Sequence, residues 1–208
     1  MYTHDEKYIT AGAPAGEAKT ALVMLHGRGG SAADIVRLTK LFNLKDAAIY
    51  APEATNNSWY PYSFMAPEAQ NQPALDSAIE RVEGLVEQVE ADGIPADKIF
   101  FLGFSQGACL TLEYVARNAK RYGGAVAFTG GLIGQELVKG HYKGNFNGTP
   151  ILITTGDHDP HVPLNRVEES IEVLKGLGAD VTLKVFPDKP HGIWQEEIQL
   201  AGSLVFSN

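Results

Sequence analysis

The chain has 208 residues, 44% hydrophobic and 20% charged, with 22 glycines. That length and mix suit one globular domain with its own core and exclude a disordered, collagen-like or coiled-coil chain. Seventeen basic against 25 acidic residues leave a formal charge of −8, a balance that repels nucleic acid and anionic membrane surfaces.

The N-terminus, Met1-Tyr2-Thr3-His4-Asp5-Glu6-Lys7, has no apolar h-region, and no apolar run is long enough to span a bilayer. A cytoplasmic protein is the expectation. The first strand is predicted at 22–25 and is followed by His26-Gly27-Arg28-Gly29-Gly30. Ser31-Ala32-Ala33-Asp34 resembles a capping box and opens a helix towards Phe42. A second strand at 47–50 leads into a long gap, 52–73, which carries Trp59-Tyr60-Pro61-Tyr62-Ser63-Phe64. The clearest helix is 74–91. Leu75, Ile79, Val82, Val86 and Val89 fall on one face, and Glu80, Glu83, Glu87 and Glu90 form a solvated stripe away from it.

Further strands are predicted at 99–104, 125–128, 151–155 and 181–185, with helices at 108–118, from Asn165 to about Gly176, and after His191 to about Phe206. Near-continuous apolarity in the strands suits burial on both faces. The β-α-β-α alternation implies a mostly parallel central sheet with helices on both faces, a three-layer α/β sandwich. Loops at the C-terminal ends of such strands carry function.

Gly103-Phe104-Ser105-Gln106-Gly107 fits G-x-S-x-G between a strand and a helix, the setting of a nucleophile elbow. A serine hydroxyl needs a base, and the base needs an orienting acid. Two later strand-end loops supply them in chain order. One is Gly156-Asp157-His158-Asp159-Pro160-His161-Val162-Pro163; the other is Phe186-Pro187-Asp188-Lys189-Pro190-His191-Gly192. Ser105 is the expected nucleophile, His191 the base and Asp159 the acid, because Pro160 biases Asp159 to extended backbone. Asp157 is expected to shape its loop through an Asx-type turn. The backbone N–H groups of Gln106 and Arg28 are the expected oxyanion donors. His26 reads as a structural residue satisfied by local hydrogen bonds.

On these motifs the chain resembles the phospholipase/carboxylesterase family of α/β-hydrolases, which includes bacterial carboxylesterases and acyl-protein thioesterase-like enzymes. The resemblance spans about residues 20–206, the core of a single domain covering 1–208. It implies the α/β-hydrolase fold without a lid domain, no cofactor, Asp159 as the triad acid, and a homodimer as the assembly seen among relatives. Ala108 replaces a second glycine often found after the elbow. Arg28 stands where the family's thioesterases carry an apolar residue, which points away from acyl-protein or phospholipid substrates.

The expected activity is therefore serine carboxylesterase action on small to medium acyl esters at an open, shallow site. An acyl thioesterase or lysophospholipase on the same triad is the alternative, and a non-catalytic protein of hydrolase fold ranks below both. Trp59 and Tyr60 are candidate pocket-wall residues, with a satellite hydrophobic cluster under a long loop as the competing reading. The Arg28 side chain either faces a polar or anionic part of the substrate or is a solvated arginine. His158, Asp159 and His161 are too crowded in sequence for a tetrahedral metal site, so no metal is expected. The single cysteine, Cys109, excludes an internal disulfide and reads as a buried packing residue.

Overall fold

The computed structural model describes residues 2–207. Among these residues one sheet of seven strands runs through the molecule, in the order β1-β3-β2-β4-β5-β6-β7. The strands are β1 (Tyr8–Gly12), β2 (Thr20–Leu25), β3 (Ala47–Pro52), β4 (Ile99–Phe104), β5 (Gly124–Phe128), β6 (Pro150–Gly156) and β7 (Asp180–Phe186). All neighbouring pairs are parallel except β1 and β3. The six predicted strands are present. β1 was not foreseen: its sequence, Tyr-Ile-Thr-Ala-Gly, is mostly exposed and carries no apolar run to mark it.

The strand side chains alternate between two cores, as a period of two requires. Ala21, Val23 and Leu25 join Phe101, Ala125, Ala127, Ile151 and Ile153 in one layer. Leu22 and Met24 join Phe100, Leu102, Val126, Phe128 and Leu152 in the other. Helices α3 (Ala74–Ala91), α4 (Gln106–Arg117) and α5 (Leu164–Gly176) cover the first layer. Helices α1 (Ala32–Val36) and α6 (Gln195–Leu204) cover the second. A one-turn helix α2 (Glu68–Asn71) lies within the long gap.

Three expectations need correction. The edge strand β7 is not buried on both faces but alternates exposed and half-buried residues, because a single neighbour and one helix layer cover it. The helix opened by Ser31 keeps its cap, with Ser31 Oγ accepting from the Asp34 N–H, but tightens into a 3-10 turn, Arg37–Leu41. Helix α5 starts at Leu164, one residue before the expected Asn165, with Pro163 at the N-cap.

The chain runs from β2 outward to β3 and then crosses back to β4 on the other side of β2. This reversal opens a crevice between the loops that follow β2 and β4. Register then sets heights. Leu25 pairs with Gly103, so His26–Arg28 and Ser105 leave the sheet at one level. Gly156 pairs with Phe186, so the loops that carry Asp159 and His191 leave together as well.

Candidate active site

Ser105 is the N-cap of α4 and sits at φ 53° and ψ −117°. A non-glycine residue in such a region is strained by about 1–3 kcal/mol and persists only where its surroundings hold it. Here the Ser105 N–H donates to the Phe128 carbonyl at 3.0 Å. The flanking glycines are required by contact. A Cβ on Gly103 would overlap the Gly107 carbonyl, and one on Gly107 would overlap the carbonyls of Leu25 and His26. Helix α4 therefore packs its first turn directly on the end of β2.

Three of the predicted residues meet. Ser105 Oγ lies 2.8 Å from His191 Nε2, and His191 Nδ1 lies 2.8 Å from Asp159 Oδ2. The hydrogen bonds assign the proton to Nδ1, leaving Nε2 to accept from the serine hydroxyl. The Asp159 side chain is fully buried, and its other oxygen accepts from the His161 and Val162 N–H groups, each at 2.9 Å. Burial alone would raise the Asp159 carboxyl. The hydrogen bond from His191 and those two N–H groups outweigh it and hold the group below its ordinary range. The His191 ring is packed between Phe104, at 5.3 Å between centroids, and His161, edge-on at 4.8 Å.

Asp157 does not make the expected Asx turn; its Oδ1 accepts from the Asp188 N–H at 2.9 Å and so ties the acid loop to the histidine loop. A second tie was not foreseen at all. Lys189 and Glu197, both fully buried, pair at 3.2 Å. Lys189 also donates to Thr129 Oγ1, and Glu197 accepts from the Trp194 N–H and the Thr154 hydroxyl. The pair pins the histidine loop to the ends of β5 and β6 and to the start of α6. The only hint in the sequence was a lysine two places before His191.

A cavity of about 610 Å³ opens beside Ser105, within the usual range of small-molecule sites. Arg28, Tyr60, Tyr62, Phe64, Cys109 and Val162 are among its lining residues. Neither the Arg28 nor the Gln106 backbone N–H donates to a protein acceptor among the described residues. Cys109, one turn of α4 beyond Ser105, is buried, and that burial pushes its thiol up to about 12.

Trp59 is not a lining residue, which for this side chain favours the satellite hydrophobic cluster over the pocket wall. Its ring is fully buried behind the wall, donates to the His26 carbonyl at 2.9 Å, and packs between His26 and His4. Tyr60 does line the cavity. The Arg28 side chain is exposed to solvent but not free, because it donates to Ser58 Oγ, Pro61 O and Tyr62 O at 2.7–3.0 Å. His26 is only partly satisfied locally: Nδ1 lies against the Gly27 carbonyl, but Nε2 accepts from the N–H of Ala54, 28 residues along the chain. The His158 side chain is 82% exposed and its closest carboxylate is Asp157, at 3.8 Å, not Asp159.

Sheet order, helix layers and elbow define an α/β-hydrolase. The phospholipase/carboxylesterase family matches residues 7–205, and the chain belongs to that family. A phospholipase/carboxylesterase from Dyadobacter fermentans, known from a crystal structure, is 60% identical, with a TM-score of 0.98 and 99% of each chain covered. Acyl-protein thioesterase 1 of Debaryomyces hansenii is 30% identical, with 91% of each chain covered. A rice protein named "Probable carboxylesterase" is 28% identical over 89% of this chain and 76% of its own length. Among the described residues no helix is long and apolar enough to cross a membrane.

Proposed function

We propose that the protein is a serine carboxylesterase that hydrolyses small to medium acyl esters. The observation that carries this reading is the continuous relay from Ser105 through His191 to Asp159, with both hydrogen bonds at 2.8 Å and the serine held on a strained elbow beside a cavity. His191 Nε2 takes the hydroxyl proton as Ser105 Oγ bonds to the acyl carbon. The carbonyl oxygen becomes an oxyanion and is met by the N–H groups of Arg28 and Gln106, a contribution of roughly 3–4 kcal/mol per donor. The carbon–oxygen bond to the alcohol then breaks, and the alcohol leaves with the proton from His191. Water repeats the sequence on the acyl-enzyme and releases the acid. Asp159, ionised across the neutral range, holds the Nδ1–H tautomer and stabilises the imidazolium.

Thioester hydrolysis on the same groups is the second reading, favoured by the similarity to an acyl-protein thioesterase over nearly the whole chain. A panel of 4-nitrophenyl esters and acyl-CoA thioesters, run on the wild type and on Ser105→Ala, tests both. The expected result is ester hydrolysis by the wild type, a loss of kcat on the order of 10⁴-fold or more in the variant, and fluorophosphonate labelling confined to Ser105. Equal activity in both proteins overturns the assignment. Acyl-CoA turnover above ester turnover moves it to the thioester reading.

A further inference from the structure

Arg28 lines the cavity and carries two different donor groups. Its main-chain N–H is free, and its guanidinium turns away to the segment 58–62. Both Nη1 hydrogens are used, on Ser58 Oγ at 2.8 Å and Pro61 O at 3.0 Å, and Nη2 holds Tyr62 O at 2.7 Å. The guanidinium carbon lies 5.9 Å from the centre of the Tyr60 ring. Three of the five donors of the fork are thus spent on this one segment. Bonds from a charged donor are about twice as strong as neutral ones, and a planar fork fixes direction as well as distance.

Gln106 grips the same segment from the other side. Its Oε1 accepts from the Trp59 N–H at 2.9 Å, and its Nε2 donates to Tyr60 O at 2.8 Å. The two residues proposed above as oxyanion donors, both lining the cavity, are therefore the two whose side chains hold its wall. Tyr60, Pro61 and Tyr62 form that wall.

We infer that Arg28 is a positioning residue whose guanidinium sets the depth of the acyl pocket and, through the shared segment, the alignment of both oxyanion donors. The inference rests on the esterase reading above. It assigns the side chain no contact with the substrate, so neutral and anionic esters lose equally when it is removed. It also couples two properties that are independent in most pockets, acyl-length preference and turnover.

The test compares Arg28→Met and Arg28→Lys with the wild type on 4-nitrophenyl acetate, butyrate and octanoate, and on the anionic 4-nitrophenyl hemiglutarate. Arg28→Met keeps the main-chain donor and loses the fork. Its expected behaviour is a 10- to 100-fold fall in kcat on acetate, a smaller fall on octanoate as the wall yields, and parallel losses on butyrate and hemiglutarate. Arg28→Lys recovers part of the turnover, having one ammonium for three acceptors. Ser58→Ala removes one of the three acceptors of the fork, together with the hydroxyl's own bond to Tyr60 O, and shifts the length profile in the same direction by less, which keeps the test open if Arg28→Met does not fold. Wild-type kcat and an unchanged length profile in Arg28→Met overturn the inference. So does a loss confined to hemiglutarate, which makes the side chain an anion receptor. A wild type that neither hydrolyses esters nor labels at Ser105 strikes the esterase reading instead.

Discussion

The two walls of the cavity are built by different means. The wall with Ser105, Asp159 and His191 hangs from strand ends, and strand register places each group. The wall from Tyr60 to Phe64 comes from a gap with little regular structure. It is placed by side-chain to backbone bonds from Arg28, Gln106 and Asn71, and by Trp59 packed behind it. The first wall is expected to be sensitive to changes in chemistry, the second to changes in shape.

The sharpest probe of the first wall is Asp159→Asn. The amide can still sit beside His191, but it donates where Nδ1–H must donate, and so favours the wrong tautomer. The expected loss of kcat is on the order of 10³- to 10⁴-fold with little change in KM, read from steady-state kinetics. A loss below tenfold would mean that Asp159 does not orient the base.

Stability separates the walls next. Lys189→Met leaves Glu197 buried without its cation, a change that typically costs about 3–5 kcal/mol. The urea midpoint is expected to fall, and Glu197→Gln on top of it is expected to restore part of the loss. A midpoint unchanged in Lys189→Met would show that the tie carries no load beneath His191.

The smallest effect belongs to the second wall. The His4 ring is buried against Trp59, with one nitrogen on the Trp59 carbonyl at 2.9 Å and the other accepting from the Thr55 N–H at 3.1 Å. Burial, ahead of its hydrogen bonds, lowers its pKa below the ordinary 6.5. The folded protein thus binds this proton less readily than the unfolded chain. The His4 contribution is complete above about pH 6.5 and is lost as the pH falls through the folded pKa, with a slope of at most about 1.4 kcal/mol per pH unit. Urea midpoints from pH 8 to 5 should therefore fall more steeply in the wild type than in His4→Gln. Parallel curves would remove His4 from the support of this wall.

The same contrast explains what could be read in the sequence. Ser105 and Asp159 were legible because each follows an apolar strand and because G-x-S-x-G and Asp159-Pro160 mark backbone geometry locally, and His191 because it follows the last strand and precedes the last helix. The layout of β2 to β7 was legible for the same reason. For Trp59 the sequence left pocket wall and buried cluster both open, because its position depends on rings at His26 and His4, far away in sequence. The grip of Arg28 on residues 58–62 has no local signature, since any arginine beside glycines looks alike until the partner carbonyls are in place. Strand β1 escaped because hydrogen bonding to β3, not apolarity, makes it a strand. Lys189 and Glu197 escaped because charged residues are read as surface unless a partner is known.

The order of strands has a further consequence for how the site fails. Ser105 and the loop that carries Arg28 leave the central pair β4 and β2, whereas His191 leaves β7, an edge strand with exposed residues along its length. Local opening runs through the least protected units first, and edge elements have the fewest contacts to lose. An excursion that released β7 and its loop, against the Lys189–Glu197 and Asp157–Asp188 ties, would carry His191 away and leave the strained serine where it was. The proposed relay would then depend on the whole sheet, whereas the elbow alone needs only its middle, and amide exchange along β7 measures how often such an opening occurs without unfolding.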